Sequence, residues 1–155
     1  MSKLFRTTLW ILSGVGLIAF LVQTLSTFLI SPLMGLLSLL IAAVLVALVI
    51  YLLQRSPMWA RPARLWALLA FLWGGGVAVA LALISSGPVM QLAIGSGWVD
   101  SMMSWSGAYP EEISKATGVI FVLMSFRQLN RPWHGWIVGA VVGLGFEACE
   151  NILYG

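Results

Sequence analysis

The chain has 155 residues, of which 61% are hydrophobic and only 8% charged, with a formal net charge of +3. A mean hydropathy of +1.01 excludes an ordinary water-soluble domain of this length, and the lack of a dense basic run gives no reason to expect nucleic acid as a partner. The one cysteine, Cys149, excludes an intramolecular disulfide and argues against a cysteine-ligated metal site.

The apolar runs match the roughly 20 residues that a helix needs to cross the hydrocarbon layer, and they lack the alternation of barrel strands. The sequence therefore predicts an all-α, polytopic transmembrane helical bundle of about five spans in a single domain. A short basic lead with Lys3 and Arg6 precedes the first span, residues 9–30. Its apolar core is too long for a signal peptide and no small-residue cleavage site is evident, so it reads as an uncleaved span. Ser31-Pro32 marks a tight turn into the second span, residues 33–53. A polar loop at 54–64 carries Arg55, Arg61 and Arg64 with two prolines. The third span is read over residues 65–84, and its Gly74-Gly75-Gly76 run points to close helix packing or a slight bend.

Residues 85–109 are rich in Gly, Ser, Met and Trp. They read as an interfacial segment lying at the membrane surface, with Trp98 and Trp105 as headgroup anchors; a lid over a site is the sharper alternative. Pro110 suits the first turn of a fourth span over 110–129, a short basic loop holds Arg127 and Arg131, and the fifth span covers 133–154. With the N-terminus in the cytoplasm, seven of the eight basic residues fall inside, Lys115 being the exception, and all five acidic residues fall at or near the outer half.

Polar residues inside two of these spans draw attention because ionisable groups are costly in a bilayer and mark functional positions. Glu111 and Glu112 open the fourth span, and either can share a helix face with Lys115. Glu147, Glu150 and Asn151 lie near the outer end of the fifth, which runs the other way, so the two groups sit at similar depth. A four-residue row, Gly135, Gly139, Gly143, Glu147 and Asn151, would let another helix approach closely beside the polar site. Four acids and one lysine cannot all ionise in a poorly solvated site, so at least one carboxyl is expected to be protonated or held by a cation. Such a cluster can take a proton from water and later return it, which makes hydrolysis a reasonable task. The bland readings are a dipole-stabilised Glu111 in a first helical turn, a Glu147 reaching the headgroups, and a structural pair between Glu150 and Lys115.

At these residues the sequence resembles a family. Glu111-Glu112-Ile113-Ser114-Lys115 fits an EExxK motif, and the run from Gly143 to Tyr154 is similar to a GxGFxxxENxxY motif, both of PrsW-type intramembrane proteases, which are related to the CAAX-processing glutamate proteases. The resemblance covers about the last third of the chain. It implies cleavage of membrane-embedded proteins such as anti-sigma factors, in a bacterial plasma membrane, with Glu111, Glu112, Lys115 and Glu150 in the catalytic site. In that analogy Glu112 or Glu111 activates the attacking water, Glu150 and Asn151 orient the water or the substrate, and Lys115 tunes the carboxylates; Glu147 is a further candidate for substrate binding.

One departure stands out. Such proteases carry histidines on later helices, whereas the only histidine, His134, lies 16 residues from Glu150, about 24 Å along a helix. The ending on Tyr154-Gly155 without a polar tail leads to the expectation that the sequence is the N-terminal part of a longer protein. Carboxylates could hold a divalent ion, but without histidine ligands at the site no zinc centre is argued. The competing class is a non-enzymatic accessory subunit in which buried Glu and Lys residues hold helices and partner subunits together; a proton-carrying transporter is a weaker third, since no internal repeat is evident.

Overall fold

The computed structural model describes residues 3–61 and 64–154, all in helices and their connections with no strand among them. Helix α1 (Lys3–Ile30) and helix α2 (Pro32–Arg55) form a hairpin. Ser31 makes the corner in an extended conformation, φ −147°, and Pro32 starts α2 at a position where its missing N–H costs no hydrogen bond. The loop that follows is pinned by aromatic packing: the Trp66 indole donates to the carbonyl oxygen of Ala60 at 3.0 Å, and its ring lies 4.7 Å from that of Trp59.

Helix α3 (Arg64–Leu72), a π-helical turn (Trp73–Ala78) and helix α4 (Val79–Gly95) then run on as one rod. The expected stop at residue 84 is therefore overturned, since the helix continues eleven residues further, to Gly95. Pro88 removes one backbone donor without ending the helix, because the apolar pattern resumes beyond it and neighbouring Ser85 and Ser86 turn their hydroxyls back onto the carbonyls of Leu81 and Leu83. The segment between this rod and the next long helix is correspondingly shorter than the expected 85–109. It comprises a 3-10 turn (Val99–Ser101) and helix α5 (Met102–Ser106), with the Trp98 ring tilted against Trp105 at a centroid separation of 4.8 Å and Trp105 stacked on Tyr109 at 4.4 Å.

Helix α6 (Ala108–Ser125) and helix α7 (His134–Tyr154) complete the chain. Four segments are long and apolar enough to cross a membrane: α1, α2, the α3–α4 rod from Leu65 to Gly95, and α7. Helix α6 takes the place of the predicted fourth span but carries Glu111, Glu112 and Lys115 in its first two turns. Burial divides the bundle into a centre and a periphery. The α3–α4 rod and α7 are 56% and 50% buried over their apolar windows, whereas α1 and α2 are 17% and 11% buried and offer leucine, isoleucine and valine faces suited to lipid.

The triple glycine explains why the rod is central. A Cβ added at Gly74 would lie 1.9 Å from the carbonyl oxygen of Val142 on α7, and one at Gly76 would lie 2.0 Å from that of Gly16 on α1. Backbone meets backbone on both sides of the π-turn, which is the close packing expected of this run. On α7 the reciprocal position is Gly145, where a Cβ would come 2.2 Å from the carbonyl oxygen of Phe71. Of the row predicted to bring helices together, Gly139 makes an ordinary contact with α6, an added Cβ lying 3.9 Å from Val119 Cγ2, while Gly135 and Gly143 have nothing within 4 Å of an added Cβ among the described residues; α7 packs mainly through the bulky face of Val138, Val142 and Phe146.

Candidate functional site

Two interactions fix the start of α6. Pro110 and Ser114 are buried, and the Ser114 hydroxyl donates to the Pro110 carbonyl oxygen at 2.6 Å. The indole of Trp73, on the π-turn, donates to the Ser114 carbonyl oxygen at 3.0 Å. Its ring lies over Gly118, where an added Cβ would fall 2.1 Å from Trp73 Cδ1. Helix α6 thus lies against the rod in one register, and Glu111 comes one turn before Ser114.

Glu111 and Glu150 line the same pocket, a cavity of about 170 Å³. Helix α4 contributes Val79, Ala82, Leu83 and Ser86 to its wall, the α5–α6 junction contributes Ser106 and Gly107, and α7 contributes Phe146, Leu153 and Tyr154. Both carboxylates are half-buried. Glu111, Glu147 and Lys115 are the charged groups whose fields act on Glu150. The ammonium of Lys115 lies 4.3 Å from the centre of the Phe146 ring, whose side chain is itself part of the pocket wall.

The other expected site residues are arranged differently. Glu112 points outward with its side chain 72% exposed and pairs with Lys115 at 2.6 Å. Glu147 and Asn151 are exposed and do not line the pocket. Glu150, three residues from Glu147, lies on the adjoining flank of α7 and lines the pocket in their place. His134 is buried at the far end of α7, where its Nδ1 accepts from the backbone N–H of Arg131 at 3.0 Å and closes the loop before the helix. Cys149 is buried, with its thiol 3.7 Å from the Gln23 side-chain oxygen, a position suited to packing. Ser86 is a pocket residue that sequence reasoning missed; placed in a presumed surface segment, it carried no signal.

A family model described as PrsW family intramembrane metalloprotease matches residues 62–155, more than half of the chain. The chain belongs to that family. Both motif segments fall inside the matched region, which runs from the start of the rod through α7. No curated protein and no solved structure matches the chain. Membership makes this an integral membrane protein of the intramembrane-protease class, with membrane proteins as the general kind of substrate.

The family's description implies a metal, and the donor set of this chain can be compared with that requirement. Catalytic metal sites take about three protein ligands plus water. Among the described residues no group of three His, Cys, Asp or Glu side chains is placed to hold an ion. The pocket offers two carboxylates, Glu111 and Glu150. These described residues do not make up a ligand set.

Proposed function

We propose that this PrsW-family protein hydrolyses peptide bonds of membrane-embedded proteins at the pocket between α4, α6 and α7, with Glu111 and Glu150 as its catalytic carboxyl groups. The single observation that carries this reading is that these two acids, 39 positions apart in sequence, line one cavity of about 170 Å³. That volume admits a water molecule beside a peptide group. Two carboxyls sharing so small a site can hold one proton between them, so that one serves as base and the other as acid.

In this proposal Glu111, as carboxylate, takes a proton from the water as its oxygen forms a bond to the scissile carbonyl carbon. Glu150, as carboxylic acid, gives its proton to the leaving nitrogen as the C–N bond breaks. The products are a new carboxyl terminus and an amine, and one proton has been exchanged at each carboxyl. Lys115, beside Phe146 and paired with Glu112, supplies positive charge at the edge of the site and acts as a positioning residue. The activating role that the resemblance left open between Glu111 and Glu112 is assigned to Glu111, on the support of its place in the cavity. Substrates of the expected type are single-span proteins such as anti-sigma factors, and the setting is a bacterial plasma membrane with Lys3, Arg6, Arg55, Arg127 and Arg131 on the cytoplasmic side.

A second reading, an accessory subunit of a larger assembly, is favoured by the open positions Gly135 and Gly143 of α7 on the side of exposed Glu147 and Asn151. Purified protein in lipid bilayers, incubated with a single-span substrate, separates the two. Cleavage that disappears in Glu111→Gln and Glu150→Gln while helicity and assembly persist supports the protease; variants that change only assembly support the subunit.

A further inference from the structure

The end of the bundle away from the carboxylate pocket holds a larger cavity, about 730 Å³, between the first turns of α1, the start of α3 and the segment after α6. Lys3, Arg6 and Arg127 line it together with Thr7 and Ser125. No acidic side chain takes part, and the chain's five acids all occur at position 100 or later. The nearest acid on α6, Glu112, lies 13 residues before that helix's last residue, Ser125, about 20 Å at the helical rise. Three cations therefore converge on a polar cavity without an acidic group of the chain among them. That arrangement calls for an anion, and arginine guanidinium groups match phosphate oxygens with paired N–H donors.

The place and the neighbouring surface narrow the choice of anion. Helix α1 has 28 residues, about 42 Å against a hydrocarbon layer of about 30 Å, so its first turns reach the headgroup layer. Trp10 on the cavity wall is the residue type that favours that layer. A second cavity of about 440 Å³ shares Phe126 and Arg127 with the first and is walled by Phe5, Leu123, Met124 and Leu129. Phe5 is held there by packing against Phe121, with ring centroids 5.5 Å apart. A basic polar cavity thus continues into an apolar groove through one shared arginine. A free phosphate would use the first and leave the second without a partner; a phospholipid uses both.

We propose that this end of the protein binds an anionic phospholipid, with the phosphate of its headgroup between Lys3, Arg6 and Arg127 and an acyl chain along the groove beside Leu123 and Met124. Basic recesses between membrane helices are the usual seats of such headgroups. The site is separate from the carboxylate pocket and does not depend on its chemistry.

Native mass spectrometry of the intact protein in a neutral detergent, titrated in parallel with phosphatidylglycerol and phosphatidylcholine of the same chains, tests this. The wild type is expected to retain phosphatidylglycerol several-fold more than phosphatidylcholine. The combined Lys3→Gln, Arg6→Gln, Arg127→Gln variant is expected to retain the two equally, whereas Arg55→Gln with Arg61→Gln, outside the cavity, keeps the preference. Equal retention by the wild type, or a preference that survives the triple substitution, overturns the proposal. Inorganic phosphate at millimolar concentration serves as the other arm. If it displaces phosphatidylglycerol, the cavity takes the phosphate alone and the lipid assignment fails; if the lipid stays bound, the groove contributes as proposed.

Discussion

The indole nitrogen of Trp73 sits 3.0 Å from the carbonyl oxygen of Ser114, a buried hydrogen bond between residues 41 positions apart. It joins the π-turn of the central rod to the helix that carries Glu111, one turn away. The same ring stacks on Phe121 at 5.2 Å and covers Gly118. Trp73→Phe keeps most of the ring contact and removes the donor, while the Ser114 carbonyl keeps its place in the hydrogen-bond ladder of α6. The expected loss is about 0.5–1.5 kcal/mol, read as a lower midpoint of unfolding in detergent micelles, together with reduced cleavage because the first turns of α6 lose their tie to the rod.

Glycine substitutions separate the packed seam from the open one. Gly74→Ala and Gly76→Ala each drive a methyl group into a backbone carbonyl, at 1.9 and 2.0 Å, and backbone cannot step aside as a flexible side chain can. A cost of at least about 1–3 kcal/mol is expected for either. Gly143→Ala meets nothing within 4 Å, and replacing a mid-helix glycine is expected to stabilise by about 0.5–1 kcal/mol. Thermal unfolding of the three variants side by side checks the order. A destabilised Gly143→Ala protein would mean that the glycine row is covered by another helix in the membrane.

Substitution of the acids is expected to rank them by their place in the cavity. Removing a general acid or base commonly slows a reaction by about 10²–10⁴-fold, and that loss is expected for Glu111→Gln and for Glu150→Gln, measured as initial rates of substrate cleavage in proteoliposomes. Glu112→Gln breaks an exposed ion pair with Lys115, an interaction of about 0–1 kcal/mol, and is expected to retain most of the rate. If Glu112→Gln is as damaging as Glu111→Gln, the assignment of the base moves to Glu112.

The sequence carried the helical class and the two polar segments, because hydropathy and the position of charges are local properties. It did not carry the direction of each side chain at the site. Glu111 and Glu112 are adjacent and chemically alike, and only the register of α6, set by Trp73 and Ser114, turns one into the pocket and the other outward. The end of the third helix was hidden for a related reason. Ser85, Ser86, Gly87 and Pro88 read as a break, whereas the helix passes through them with the serine hydroxyls bonded to its own carbonyls. The small-residue rows were visible on both the rod and α7, but which face packs was decided by Val138, Val142 and Phe146 meeting the rod.

Ser86 follows from that continuation and gives a test that leaves the carboxylates untouched. It lies on the pocket wall provided by α4, half-buried, with its hydroxyl engaged by the Leu83 carbonyl oxygen at 3.0 Å. Ser86→Ala removes only a local hydrogen bond within the helix and is expected to change cleavage little. Ser86→Leu instead places a branched side chain in a cavity of about 170 Å³, displacing the volume needed for water and a peptide group between Glu111 and Glu150. Because residue 86 borders a cavity, the larger side chain is expected to be accommodated without loss of fold, so cleavage should fall while the unfolding midpoint stays or rises. Paired measurements of rate and thermal unfolding check this. A Ser86→Leu protein with full activity would show that the reaction takes place outside this pocket, and with it Glu111 and Glu150 would lose their assigned roles.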